Sequence, residues 1–145
     1  MEEKKYPFKT ITSELRYEFI SISEEKEVKK VVIITKIDEP YFYNLALLDE
    51  LENGELSDIS ESRNNDMPII LSTIFKIIDE FLNNNPQAVL LFKGSEERRH
   101  RLYRIIIGKE YKNISSKFRI FGFNDGFISA FESNQKYEYF LIKKI

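Results

Sequence analysis

The chain has 145 residues, 42% of them hydrophobic and 32% charged, the balance of one ordinary soluble domain able to bury its own core. Having no cysteine, it excludes disulfides, thiolate metal sites and a cysteine nucleophile. Its formal charge of −2 disfavours nucleic-acid binding driven by bulk charge, while leaving a local basic patch open to it. Val31-Val32-Ile33-Ile34 and residues 88–92, the longest apolar runs, are too short to span a bilayer. Met1-Glu2-Glu3-Lys4-Lys5-Tyr6-Pro7 lacks the apolar stretch of a secretory signal, so the expected compartment is cytoplasmic.

In chain order, residues 1–14 are polar and charged and are expected to lie peripherally on a single domain, 1–145. Residues 17–22 alternate large with small or polar side chains, the pattern of a half-buried strand. Charged residues 23–27 turn the chain into a second strand, 31–37, rich in β-branched side chains. Asp38-Glu39-Pro40 turns it again into a third, 41–48. Asn53-Gly54 most readily takes the positive φ angles of a tight hairpin, which predicts pairing of 45–51 with 55–59. Connections this short allow only antiparallel neighbours.

The period then changes. Asn64-Asn65-Asp66-Met67-Pro68 offers a capping Asp and a first-turn proline. Apolar residues at 67, 70, 71, 74, 75, 78, 81 and 82 mark one helical face, which Asn83-Asn84-Asn85-Pro86 ends. Residues 88–92 are nearly all apolar and predict a strand covered on both faces. Lys93-Gly94-Ser95 leads into a second helix from 96 to about 111, with Gly108 as its weak point. Residues 118–123, the turn Asn124-Asp125-Gly126 and residues 127–131 form a hairpin, and 137–142 a last strand. The order ββββαβαβββ predicts an α+β fold, a mostly antiparallel sheet with two helices packed on it.

Lysine is the usual cation here, yet four of the seven arginines fall at 98, 99, 101 and 104. On a helix, Leu102, Tyr103, Ile105, Ile106 and Ile107 form the apolar arc with Arg99 near its middle, while His100, Arg101 and Arg104 face solvent. An inward guanidinium needs an anion. Asp49 or Glu18 could supply it from the sheet, or Glu96 and Glu97 locally. The alternative is an external phosphate or carboxylate: Gly94 would admit close backbone approach, Ser95 would donate its hydroxyl, and free helix N–H groups would face the ligand. Glu96 and Glu97 would repel such an anion.

A second candidate is a basic ridge of His100, Arg101 and Arg104 with Lys93 and Lys109, set against nucleic-acid phosphates. Tyr17, Tyr41, Tyr43, Tyr137 and Tyr139 are candidates for base stacking, although aromatics in strands are ordinary sheet residues. A lone histidine gives no His-based zinc site, and no glycine-rich phosphate loop occurs. Glu50, Glu52, Glu55 and Asp58 around the hairpin turn read as solvated carboxylates rather than a calcium site. No cofactor and no metal are expected, and nothing requires catalysis.

Gly94-Ser95 followed by Arg99-His100-Arg101-Leu102-Tyr103-Arg104 resembles the G-S-x-x-x-R-x-R-L-Y-R segment of a family of small, uncharacterised bacterial domains. Tyr43-Asn44-Leu45-Ala46 stands where that family has a Y-N-L-A strand, and the likeness covers residues 15–142. Glu96-Glu97-Arg98 departs from the small or neutral residues expected there. The resemblance implies an architecture and a hot spot at Gly94, Ser95, Arg99, Arg101, Tyr103 and Arg104, not a reaction. The expected role is a non-catalytic binding protein, monomer or homodimer, that recognises an anionic ligand such as a nucleotide or nucleic-acid phosphate through residues 95–104. The alternative is a protein-interaction module, such as an accessory or antitoxin-like component of a toxin–antitoxin or phage-defence locus. Last comes a phosphoryl-processing enzyme in which Arg99 stabilises the transferred group.

Overall fold

A computed structural model describes residues 4–11, 15–22, 27–57, 66–94 and 96–145. Alternation of burial builds β2 (Arg16–Ile22), whose Tyr17, Phe19 and Ser21 point into the core, against β3 (Glu27–Lys36) and β4 (Phe42–Glu50). The register pairs Tyr17 with Val32 and Val32 with Leu47, so one face of the meander is continuously apolar. A short β1 (Lys9–Ile11), not foreseen from the polar sequence, pairs with β2 as the outermost strand. Just before it, Tyr6 stacks on Phe19 with ring centroids 5.8 Å apart.

The expected hairpin after β4 forms, with a different turn. Gly54 alone takes a positive φ, +87°. Leu51 N–H donates to Glu55 O, so the loop has three residues with glycine in the left-handed place. Only β5 (Leu56–Ser57) pairs back, on Asp49 and Glu50; residues 58 and 59 of the expected strand lie outside the described residues.

The first helix, α1 (Met67–Asn84), begins at the expected proline. Asp66 occupies the N-cap position but does not cap with its side chain. Its carboxylate instead accepts from Ser21 Oγ at 2.5 Å and Tyr6 Oη at 2.6 Å, tying the helix start to β2 and the N-terminal segment. Nearly the whole girth of α1 is buried, including Ser72 and Thr73. Thr73 is satisfied by donating to Ile69 O while accepting from Tyr6 N–H.

This helix is the crossover that lets β6 (Val89–Phe92) lie parallel to β4. All other pairings are antiparallel. The second helix, α2 (Glu97–Ile114), is followed by β7 (Phe118–Asn124), β8 (Phe127–Ala130) and β9 (Tyr139–Lys144). The turn between β7 and β8 is the expected one, Asp125 and Gly126 having φ of +49° and +83°. Strand order across the sheet is β1-β2-β3-β4-β6-β9-β7-β8, an α+β fold with the predicted element order and one additional strand.

Both helices contribute to one core with the face bearing Val32, Leu45, Leu90, Phe92, Phe140 and Ile142. On the other face, Arg16, Glu18, Lys29 and Glu50 form a closed ring of four ion pairs between 2.8 and 3.6 Å around Val31, which is fully buried. Among the described residues no helix is long and apolar enough to cross a membrane.

Candidate functional site

The junction between β6 and α2 is set by a close approach. A Cβ on Gly94 would lie 2.4 Å from His100 N and 2.6 Å from His100 Cα, both backbone atoms of the helix. Glycine is therefore required here so that the chain leaving β6 can pack flat against the first turns of α2. The approach anticipated for a ligand is taken by the protein itself.

His100 holds this contact in place. Its Nδ1 accepts from Gly94 N–H at 3.1 Å, and its Nε2 lies 2.6 Å from Tyr137 O, to which it must donate because a carbonyl only accepts. The ring is thus the neutral Nε2–H tautomer, tilted on Phe140 at a centroid distance of 4.9 Å. Burial holds its pKa below the ordinary imidazole value; the Tyr137 carbonyl opposes that, and the charges of Lys93 and Arg104 add to it.

This overturns the expectation that His100 faces solvent. The buried stripe of α2 is Tyr103, Ile107 and Ile114, and His100 precedes Tyr103 on the same stripe. Leu102 and Ile105, expected in the apolar arc, are 38% and 39% exposed. An arc of five apolar residues is wider than the contact, and the stack of Tyr103 on Phe92, with centroids 4.8 Å apart, selects the phase. Ile114, 1% exposed, anchors a last turn beyond the expected end at 111.

Arg99 falls on one flank of this stripe, half-buried, rather than at its middle. It lies close enough to Tyr103 to act on its phenol. Burial raises that phenol's pKa far above the ordinary value, with Arg99 opposing the shift and Asp49 adding to it. Asp49 is itself buried and pairs with Lys30 at 2.5 Å; among the described residues its Oδ2 finds no donor. Glu18, the other acid considered for Arg99, belongs to the ring on the opposite face of the sheet. Tyr103 is 1% exposed and acts as core packing. Ser95 lies outside the described residues.

Arg101 and Arg104 fall on the other flank. They open onto a cleft of about 580 Å³ lined by Glu97, His100, Arg101, Arg104, Lys136 and Tyr137. The opposite wall, residues 136–137, leads into β9 and is fixed by three contacts. His100 holds the Tyr137 carbonyl, Asn124 Nδ2 donates to Lys136 O at 2.5 Å, and the Tyr137 ring lies over Gly122. A Cβ at 122 would come 2.0 Å from that ring, so this glycine is also required by packing. Among the described residues, the side chains of Glu97, Arg101, Arg104 and Lys136 make no hydrogen bond and no ion pair. They contrast with the closed ring of charges around Val31.

A family model described as "Family of unknown function (DUF6934)" matches residues 2–145. The chain belongs to this family. No curated protein and no solved structure matches it. Within this DUF6934 domain, the arginine segment therefore divides into a structural part, Gly94, His100 and Tyr103, and a cleft-lining part, Arg101 and Arg104.

Lys136, absent from the sequence-based candidates, joins the cleft from a distant loop. The candidate Lys93 acts electrostatically on His100, and Lys109 lies elsewhere on the helix. The proposed stacking tyrosines do not form a platform: Tyr17 and Tyr137 are core residues, Tyr43 packs edge-on against Phe81, and Tyr139 stacks on Phe123. Tyr41, 57% exposed, does not line the cleft. No group of three or more His, Asp or Glu among the described residues is arranged to hold a metal; Asp58 of the acidic hairpin lies outside them.

Proposed function

We propose that this protein is a non-catalytic binding protein of the cytoplasm, and that its cleft holds the phosphate of a nucleotide or of a nucleic-acid backbone. One observation carries the reading: Arg101, Arg104 and Lys136 line a single cleft with no hydrogen-bond or ion-pair partner among the described residues, against one carboxylate, Glu97. Unpaired guanidinium groups match phosphate oxygens in bidentate geometry, and an ammonium on the facing wall adds a third charge. His100 contributes no charge here, since its two hydrogen bonds require the neutral ring.

The test is titration of nucleoside monophosphates and of a short single-stranded oligonucleotide. Arg104→Ala and Lys136→Ala should each weaken binding about tenfold, the loss of one charge-assisted contact. The melting temperature should hold, because neither side chain makes a hydrogen bond or ion pair to any described residue. Affinity for the oligonucleotide should fall as salt rises, with a logarithmic slope of about −0.7 per phosphate contacted. Binding that ignores these substitutions, or a flat salt response, overturns the reading.

A second reading, a protein-interaction module, is favoured by β8. It is the last strand of the sheet, all four residues are exposed, and Phe127 and Ile128 are 77% and 55% accessible. Phe127-Ile128-Ser129-Ala130 carries neither charge nor proline, the devices that usually blunt an edge. Co-purification of a stoichiometric partner that is lost in Ile128→Lys would establish this role.

A further inference from the structure

We propose that Glu97 makes the cleft selective for nucleotides whose base carries an exocyclic amino group. This rests on the phosphate reading above and adds the other end of the ligand. Glu97 stands one turn before Arg101 and two turns before Arg104 on α2, so about 10 Å of helix axis separates the backbone positions of Glu97 and Arg104. All three line the same cleft, whose volume of about 580 Å³ exceeds what a phosphate group alone would fill. With a phosphate held by the cations of the cleft, Glu97 is the one acidic group in the lining left to meet the remainder of the ligand.

Glu97 is available for that role. Arg101 is four residues on, the spacing at which acid and base commonly pair on a helix, yet the two form no ion pair. A carboxylate is acceptor-only and calls for N–H or O–H donors, and the ribose 5-phosphate arm of the test below isolates what the sugar hydroxyls alone supply. The N4 amino group of cytosine donates to such an acceptor, whereas O4 of uracil at the same place presents a second acceptor to it. The competing role is purely local: a first-turn acid that favours the helix N-terminus and repels every anion equally.

Titration of the full chain with CMP, UMP and ribose 5-phosphate separates these. In the natural sequence CMP should bind about tenfold tighter than UMP or the sugar phosphate, the worth of one charge-assisted hydrogen bond. Glu97→Gln keeps the size and offers both donor and acceptor, so CMP and UMP should then bind alike. Glu97 is exposed and makes no hydrogen bond or ion pair to any described residue, so this substitution should leave the melting temperature unchanged. Equal affinity for CMP and UMP in the natural sequence overturns the inference, as does uniform tightening of all three ligands in Glu97→Gln; either outcome leaves phosphate binding standing. Failure of all three ligands to bind overturns both readings.

Discussion

His100 is the residue on which the α2 junction turns, and its protonation state is fixed by what it touches. Adding a proton at Nδ1 would set two donors, Nδ1–H and Gly94 N–H, against each other. Its pKa is lowered in the folded chain, chiefly by burial, so the unfolded chain binds the proton more readily. The sign follows: stability from this group is complete above the unfolded value near 6.5 and is lost as pH falls from there through the folded pKa. Urea unfolding followed from pH 7.5 downward should show that loss, and His100→Gln should lack it. Since this is the lone histidine of the sequence, no other imidazole can mimic the effect. An unchanged pH profile in the variant would remove the assignment. At this scale the sequence showed where the unusual residues are concentrated but not which of them turns inward, because five apolar neighbours leave the helix phase ambiguous.

Among the elements, α2 was legible as a helix and misplaced in its rotation and its end. Gly108, read as its weak point, is spanned by unbroken helix. A Cβ there would meet only the Ser133 side chain, Oγ at 3.4 Å and Cβ at 3.8 Å, ordinary contacts. Gly108→Ala should therefore stabilise the protein by about 0.5–1 kcal/mol through helix propensity and reduced unfolded-state entropy. A higher denaturation midpoint with an unchanged slope would confirm it; a lower midpoint would mean that the helix cannot accept the methyl group. Gly94 offers the opposite case, because its missing Cβ is occupied by backbone atoms that cannot rotate away. Composition marks both positions as glycine and does not distinguish them. β1 escaped notice for a related reason: Lys-Thr-Ile carries too little pattern to announce a strand, and its pairing with β2 supplies what the side chains do not.

Across the whole molecule, the buried Lys30–Asp49 pair joins β3 to β4 within the sheet, and its carboxylate acts electrostatically on Tyr103 of α2. Both side chains are only 4% exposed, so the removal of one leaves the other as a stranded charge. Lys30→Met or Asp49→Ala alone should cost about 3–5 kcal/mol. The double replacement Lys30→Met with Asp49→Leu should cost much less, since no charge is then buried. Chemical denaturation of the three variants checks this; additive losses would show that the pair is not a coupled unit. The ring around Val31 is different in kind. Its members are 17–39% exposed, and each of its ion pairs is worth at most about 1 kcal/mol. These two arrangements use nearly adjacent residues of β3 on opposite faces, a division set by the period of two along a strand.

The order of strands and helices, the α1 stripe and the β7–β8 turn were contained in the chain itself, because they depend on contacts between residues near in sequence: periodicity and turn chemistry. The place of β6 beside β4, the inward turn of His100 and the meeting of Lys136 with Arg101 and Arg104 were not. Each depends on segments tens of residues apart competing for the same buried space, and only their packing settles which side chains are covered and which are left facing the cleft.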